Sequence, residues 1–423
     1  MNASDLMPPA ARLDESLDPQ LESQLQLDGL SRWLDLEDWI LERLRHNERE
    51  ATCALSLMRD DARAESCMAL SVQHGRAAGP ALATISFSPE TYLNELRAQA
   101  YSNSMACALY RLPYSGGAAG IVCDPHTFSE REMRRVIRAV SLSGSDLLGC
   151  RAVALVPTPE TNEHIAGWLA AEFGDTEARV SVSGKPAGAH GIDLDRLHAM
   201  GIVEVVRESL PEREIGIRGA RVALQGFGRI ARTVAAELHG LGARVIAVAD
   251  VSGGLLDREG LDINAVEQYV MRQGVVLGYP KAEPLCNADV LELDCDALVL
   301  LAAPWQITAR NADGIRAKVI VEGVPHGLTE TAREQLDARG TIMASSIFCL
   351  GARLFAASLE LSSGEQANAT RPAYNALVRR RVRRAFSEIR EAKRHWQTNL
   401  WITAEMLAVD RLACELREQG LGL

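Results

Sequence analysis

Residues 220–250 read ARVALQGFGRIARTVAAELHGLGARVIAVAD, and no other segment limits the possible folds as strongly. An apolar run, Val222–Leu224, leads into Gly226-Phe227-Gly228-Arg229-Ile230-Ala231. This order fits the dinucleotide fingerprint of a strand, a glycine turn and a helix. The first glycine permits the tight turn, and the second lets backbone N–H groups approach a pyrophosphate. The third position needs a small residue for helix–strand packing, and alanine suffices. Val234, Ala235 and Leu238 then fall on one helical face, Gly240 and Gly242 close the helix, and Val245–Val248 forms the next strand. Further apolar runs at Asp296–Leu301, Val319–Glu322 and Gly340–Met343 follow helix-like stretches. Alternation of this kind predicts a doubly wound parallel sheet.

Asp250 ends the second strand, 24 residues after Gly226. A carboxylate at that place accepts from ribose hydroxyls, and it favours NAD over NADP because a 2′-phosphate would be repelled. Arg229 and Arg232 lie close enough in sequence to soften that preference. Two alternatives stay open: a Rossmann-type unit that has lost its nucleotide, and an Asp250 that simply enters solvent.

Ahead of this unit the pattern predicts an α/β segment of mixed order. Trp33, Leu36, Ile40 and Leu44 space one helix, and residues 51–58, 67–72, 84–87 and 153–156 read as strands. A helix runs from Ser88-Pro89-Glu90 to Ala108, another opens at Ser129-Glu130-Arg131-Glu132, and a third covers Thr161–Ala171. LPYSGGAAGIVCDP (112–125) reads as a glycine-rich loop, and residues 1–28 as a flexible N-terminus. From Cys349 the chain is helical. Its arginines 379, 380, 381, 383 and 384 read as a solvated or salt-bridged face.

With 423 residues the chain holds two or three domains. A net charge of −11 without a basic tail argues against nucleic acid. No apolar run is long enough for a bilayer span, and the first residues lack a signal pattern, so a cytoplasmic protein is expected. Nine cysteines without a C-x-x-C pair, and histidines without H-x-x-x-H spacing, predict free thiols and no metal site. Lysine is the informative count. Only Lys185, Lys281, Lys318 and Lys393 occur, so no amine chemistry resides in the first 184 residues. Arginine does not replace it, because the guanidinium stays protonated.

The segments LQGFG (224–228), VIAVADVSGG (245–254), EGLD (259–262), GYPKAEPL (278–285), LELDCDALVLLAA (291–303) and NADGIRAKVIVEG (311–323) together resemble the glutamate/leucine/phenylalanine/valine dehydrogenase family. LPYSGGAAGIVCDP, PETNEHIAGWL (159–169) and SGKP (183–186) add to the likeness, which is nearest to its glutamate dehydrogenases. The resemblance implies two α/β domains: a dimerisation and substrate-type domain over 29–205 and a Rossmann-type NAD(P)-binding domain over 206–348. Helices over 349–423 fold back across the cleft. It also implies reversible oxidative deamination of an α-amino acid to a 2-oxo acid. The nucleotide contacts would fall on Gly226, Phe227, Gly228, Arg229, Ile230, Ala231, Asp250, Val251, Ala302 and Ala303.

The chain departs from the family at the positions that carry the chemistry. The lysine of the family's Gly-Gly-Ala-Lys-Gly-Gly stretch falls on Ala118, and the lysine holding the α-carboxylate falls on Ala106. The lysine for a distal carboxylate falls near Leu82, and the proton-shuttling aspartate falls on Thr158. Glu160 is the acid nearest Thr158, and Lys185 belongs to the SGKP turn. The asparagine after Val-Glu-Gly is replaced around Val324-Pro325. Asn-Ala-Gly-Gly becomes Leu350-Gly351-Ala352-Arg353, and a substrate serine becomes Ala357, with Ser358 one place on. Loss of one charge-stabilising donor typically costs about 10²–10³ in rate. The expectation is therefore a non-catalytic, regulatory or structural subunit. It would form a hexamer-like homo-oligomer or a hetero-oligomer with a catalytic paralogue, and it would take an amino-acid or nucleotide effector. An active dehydrogenase in which Arg111 or Arg353 supplies the missing charge is one alternative, although both arginines read more simply as surface or salt-bridged. An interaction protein that binds no nucleotide is the other.

Overall fold

The computed structural model describes residues 17–75, 80–148, 153–158, 161, 163–174, 180–183, 192–363 and 371–420. The apolar runs assemble into two sheets. The first contains β1 (Arg49–Met58), β2 (Ala64–His74), β3 (Ala81–Phe87), β4 (Ser115–Val122), β5 (Val153–Pro157) and β6 (Val180–Val182), in the order β1-β2-β4-β3-β5-β6. β1 and β2 form an antiparallel hairpin, β2 runs antiparallel to β4, and the other pairs are parallel.

β4 corrects the expected glycine-rich loop. Its glycines serve packing, not a turn. A Cβ on Gly116 would overlap Ala100 O and Ser104 N, and one on Gly120 would overlap Thr91. Bare backbone lets the helix α3, given below, lie directly on the strand. Asn103 fixes that approach, donating from Nδ2 to Gly117 O (2.6 Å) and Thr84 Oγ1 (3.1 Å).

The N-terminal helices are α1 (Pro19–Leu34), α2 (Asp38–Arg45) and α3 (Leu93–Leu109). Helix begins at Pro19, inside the stretch expected to be flexible, with Asp18 capping it. The single helix expected around 33–44 is two. Asp35 takes a left-handed conformation (φ 46°) and returns its N–H to Ser31 O, ending α1. α4 (Glu130–Leu142) opens on a capping box in which Glu132 N–H donates to Ser129 Oγ and Ser129 N–H to the Glu132 carboxylate. α5 (Gly144–Leu148) and α6 (Glu163–Gly174) complete this unit.

The second sheet has β7 (Arg221–Gln225), β8 (Arg244–Asp250), β9 (Gly253–Leu256), β10 (Glu283–Leu285), β11 (Ala297–Leu300), β12 (Val319–Glu322) and β13 (Ile342–Ala344). Their order is β10-β9-β8-β7-β11-β12-β13. The five strands β8-β7-β11-β12-β13 are parallel, as the sequence predicts. β9 and β10, which the pattern does not reveal, add an antiparallel edge. α7 (Leu194–Ser209), α8 (Arg229–Gly240), α9 (Ile263–Gln273), α10 (Asn287–Leu291) and α11 (Glu330–Ala338) surround it.

α12 (Ser346–Ser363), α13 (Arg371–Trp396) and α14 (Leu400–Glu418) close the chain. α12 joins the two units. Gly201 of α7 leaves room for Ala352, and Gly351 leaves room for the Tyr110 ring, whose hydroxyl donates to Phe348 O (2.8 Å). One buried cluster runs from Leu27 through Tyr110, Val203, Leu224 and Phe348 to Leu416. Of the arginines expected on a solvated or salt-bridged face of α13, Arg379 pairs with Glu237 (3.7 Å) and Arg384 with Glu388 (3.0 Å), whereas Arg381 donates to Tyr110 O. Arg383 pairs with Glu204, Arg390 with Glu208 (2.9 Å) and Glu212 (3.0 Å), and Lys393 with Glu212 (2.7 Å). Among the described residues no helix is long and apolar enough to cross a membrane.

Candidate functional site

The nucleotide-type turn sits where the strand order reverses, between β7 and β11. Gly226 donates to Ala249 O (2.9 Å) and has φ +112°. A Cβ there would lie 2.8 Å from the carbonyl carbon of Leu301, so both the backbone angle and the neighbour demand glycine. Gly228 is the N-cap of α8 and carries no side-chain cap. A Cβ on it would meet nothing within 4 Å, which leaves the helix start open on that side. Phe227 and Ala231 are buried beneath the turn, and Ile230 packs partly against the core. Ala302 and Ala303 are exposed where β11 ends, and Val251 is 99% exposed beyond β8.

Asp250 stands at the end of β8 with its carboxylate already oriented. Oδ1 accepts from Ser252 N (2.8 Å) and Ser252 Oγ (2.5 Å), and Oδ2 accepts from Val276 N (2.8 Å). A carboxylate offers about four lone-pair sites, so Oδ2 retains capacity for one further donor.

Three parts of the chain meet at a residue the sequence does not single out. Asp195, in the first turn of α7, pairs with Arg229 of the nucleotide-type turn and with Arg353 of α12 (2.8 Å). Arg353 also donates to Pro157 O at the end of β5. It is only 3% exposed, so it is the salt-bridged arginine expected but not a surface one. His198, one turn after Asp195, is buried, and neither ring nitrogen has a hydrogen-bond partner. Burial, reinforced by the Arg353 charge, pushes its pKa down to about 3, so the ring is neutral. Asp195 and Arg353 are 158 positions apart, and only the fold brings them together.

Of the positions flagged from sequence, only Thr158 adjoins a partner of Arg353, Pro157. Ala106 of α3 and Leu82 of β3 are fully buried in the shared core. Ala118 of β4 is fully buried among Leu70, Val72, Leu96 and Ala100. Thr158 follows Pro157. Its N–H donates to Ile85 O (2.9 Å), and its hydroxyl lies 3.2 Å from that of Thr161. Ala357 is fully buried, and Ser358 donates to Phe355 O (2.7 Å). Arg111 pairs with Glu388 (3.4 Å). Glu160 and Lys185 fall outside the described residues.

A switch-point glycine turn, a second α/β unit and C-terminal helices crossing between them define a two-domain protein of the nucleotide-dependent dehydrogenase type. Residues 191–420 match the family model for Glutamate/Leucine/Phenylalanine/Valine dehydrogenase, and residues 47–174 match its dimerisation-domain model. The chain belongs to that family. It is 30% identical over 408 residues to the glutamate dehydrogenase of Thermotoga maritima, a match covering 94% of this chain and 97% of that one. It is 28% identical over 394 residues to an NAD-specific glutamate dehydrogenase of Staphylococcus aureus, covering 92% and 94%. The structure superposes on a hetero-hexameric glutamate dehydrogenase from Thermus thermophilus in a Leu-bound form. The TM-score is 0.87 at 26% identity, over 97% of this chain and 99% of that one.

Proposed function

We propose that this chain is a non-catalytic member of the family, a regulatory or structural subunit of an amino-acid dehydrogenase acting in the cytoplasm. The ancestral reaction removes a hydride and an amino group from an α-amino acid, and it needs a cation to grip the carboxylate and an amine and acid to move protons. One observation carries the reading. Ala106, Ala118 and Thr158 stand where the resemblance puts those groups, and a buried cation, Arg353, is committed to Asp195 and Pro157 O. A buried guanidinium held by a partly exposed carboxylate and a carbonyl supports a strut more than a receptor for a substrate carboxylate.

The nucleotide half retains features that fit NAD. The uncapped start of α8, the open side of Gly228 and the spare lone pair on Asp250 suit a pyrophosphate and a ribose hydroxyl. Gly226 to Ala231, with Asp250, Val251, Ala302 and Ala303 around them, would hold it. When bound, a nicotinamide accepts hydride, but this chain's own residues would then only bind and orient the nucleotide. Assembly into a hexamer, alone or with a catalytic paralogue, accords with the hetero-hexameric relative.

Mixing the purified chain with a lysine-containing family dehydrogenase from the same cell tests the role. Native mass spectrometry should show mixed oligomers, and the partner's kcat/KM should change severalfold. A chain that stays monomeric and leaves its partner's kinetics unaltered contradicts the proposal.

A further inference from the structure

The start of α8 departs from ordinary helix electrostatics. A helix N-terminus favours acids, because its unpaired N–H groups carry partial positive charge. The first turn of α8 has no acid and opens with Arg229, and Arg232 follows three residues on. Side chains on a helix lean toward its N-terminus, so both cations add charge to an end that is already positive. The counter-charge comes from another helix. Asp195 of α7 pairs through Oδ2 with Arg229 Nη2 and through Oδ1 with Arg353 Nη1 (2.8 Å). One carboxylate is thus divided between two guanidiniums.

The two pairings differ in strength. The Arg353 side chain is 4% exposed, and taking away its carboxylate would strand a buried charge. The Arg229 side chain is 40% exposed, so water replaces a lost partner and the pair contributes little. Arg229 directly follows Gly228, the N-cap of α8 whose far side is open. A diphosphate seated on the N–H groups of that helix start would therefore lie beside it. Phosphate oxygens form strong charge-assisted bonds to a guanidinium, whereas Asp195 Oδ2 belongs to a carboxylate already shared with Arg353.

On the basis of the nucleotide binding proposed above, we infer that Arg229 is a phosphate ligand held in reserve by Asp195. A diphosphate at the start of α8 draws the guanidinium off Asp195 Oδ2, and the carboxylate then serves Arg353 alone. Asp195 is a positioning residue here: it touches no nucleotide, and it sets affinity by competing for a side chain that does. The exchange also carries a signal. Arg353 belongs to α12 and donates to Pro157 O at the end of β5, so it ties the start of α7 to the first sheet. An undivided carboxylate holds Arg353 more firmly, and nucleotide occupancy therefore tightens the strut between the two units. By linkage a tighter strut favours the nucleotide in return. The diphosphate is common to NAD and NADP, so an Arg229 used in this way does not soften the preference that Asp250 sets.

Fluorescence titration of the full chain with NADH, and calorimetry with ADP, test the exchange. Arg229→Gln should weaken both ligands about tenfold, and Arg229→Lys should recover most of that loss. Asp195→Asn, which keeps an oxygen for Arg353, should tighten both about threefold. The gain should vanish when Asp195→Asn is combined with Arg229→Gln. Amide hydrogen exchange across residues 353–358 should slow when NADH binds the wild-type chain, but not when it binds Arg229→Gln. Affinities that ignore Arg229→Gln, or that fall equally in Arg229→Lys, overturn the role of Arg229 and leave nucleotide binding standing. Exchange that NADH does not alter in the wild-type chain overturns the link to Arg353. A wild-type chain that binds neither ligand up to about 10 mM overturns nucleotide binding itself, and the exchange with it. The Arg229 variants and the wild-type measurement decide the outcome even if Asp195→Asn fails to fold.

Discussion

Replacement of Asp195 by alanine is expected to lower stability by about 3–5 kcal/mol, the cost of leaving a buried charge without its partner. Arg353 is 3% exposed and has two anchors, Asp195 and Pro157 O. Without the carboxylate, its charge stays in the core against one carbonyl and the neutral His198. Arg353→Ala should cost less, because Asp195 keeps Arg229 and no cation is stranded. Urea unfolding of both variants measures the difference. Equal midpoints, or a loss below about 1 kcal/mol for Asp195→Ala, would place this pair among ordinary surface ion pairs. The ordering matters for function, since it decides whether Arg353 is a strut across the cleft or a free cation.

Ala118→Lys is expected to destabilise the protein by about 4 kcal/mol without yielding a dehydrogenase. Ala118 is fully buried on β4 against Leu70, Val72, Leu96 and Ala100. A lysine must overpack that face, at about 1–3 kcal/mol, and place an amine among apolar groups that favour its neutral form. On the proposed reading Ala106 and Thr158 would still lack the carboxylate-binding cation and the proton shuttle, and groups that act as a unit are not restored singly. Thermal unfolding and an NAD-reduction assay on the variant check both halves. A stable variant with steady turnover would mean that the cleft keeps its catalytic shape and lacks only one amine.

The nucleotide-type turn is legible in sequence because its constraints are local. Gly226 needs φ +112° and Ala231 needs to be small, and both demands act within six residues. The parallel strands are legible because both their faces are buried and their apolar runs are unbroken. β4 is not, since its glycines answer to α3 packed above it, and a glycine-rich run looks the same whether it frees a loop or admits a helix. The break between α1 and α2 depends on one left-handed residue, Asp35, within an otherwise helical spacing. β9 and β10 are four and three residues long, too short for a period to register. In the cleft, Arg353 stands out as a substituted position, but its partner looks like any acid in a first helical turn.

A non-catalytic chain, as proposed above, should be silent in the family's own assay. The most direct test is NAD reduction at 340 nm by the purified chain across a panel of L-amino acids that includes glutamate. The rate should fall at least about 10³-fold below that of a lysine-containing family member measured alongside. A rate comparable to that enzyme, sustained over many turnovers, would contradict the non-catalytic reading.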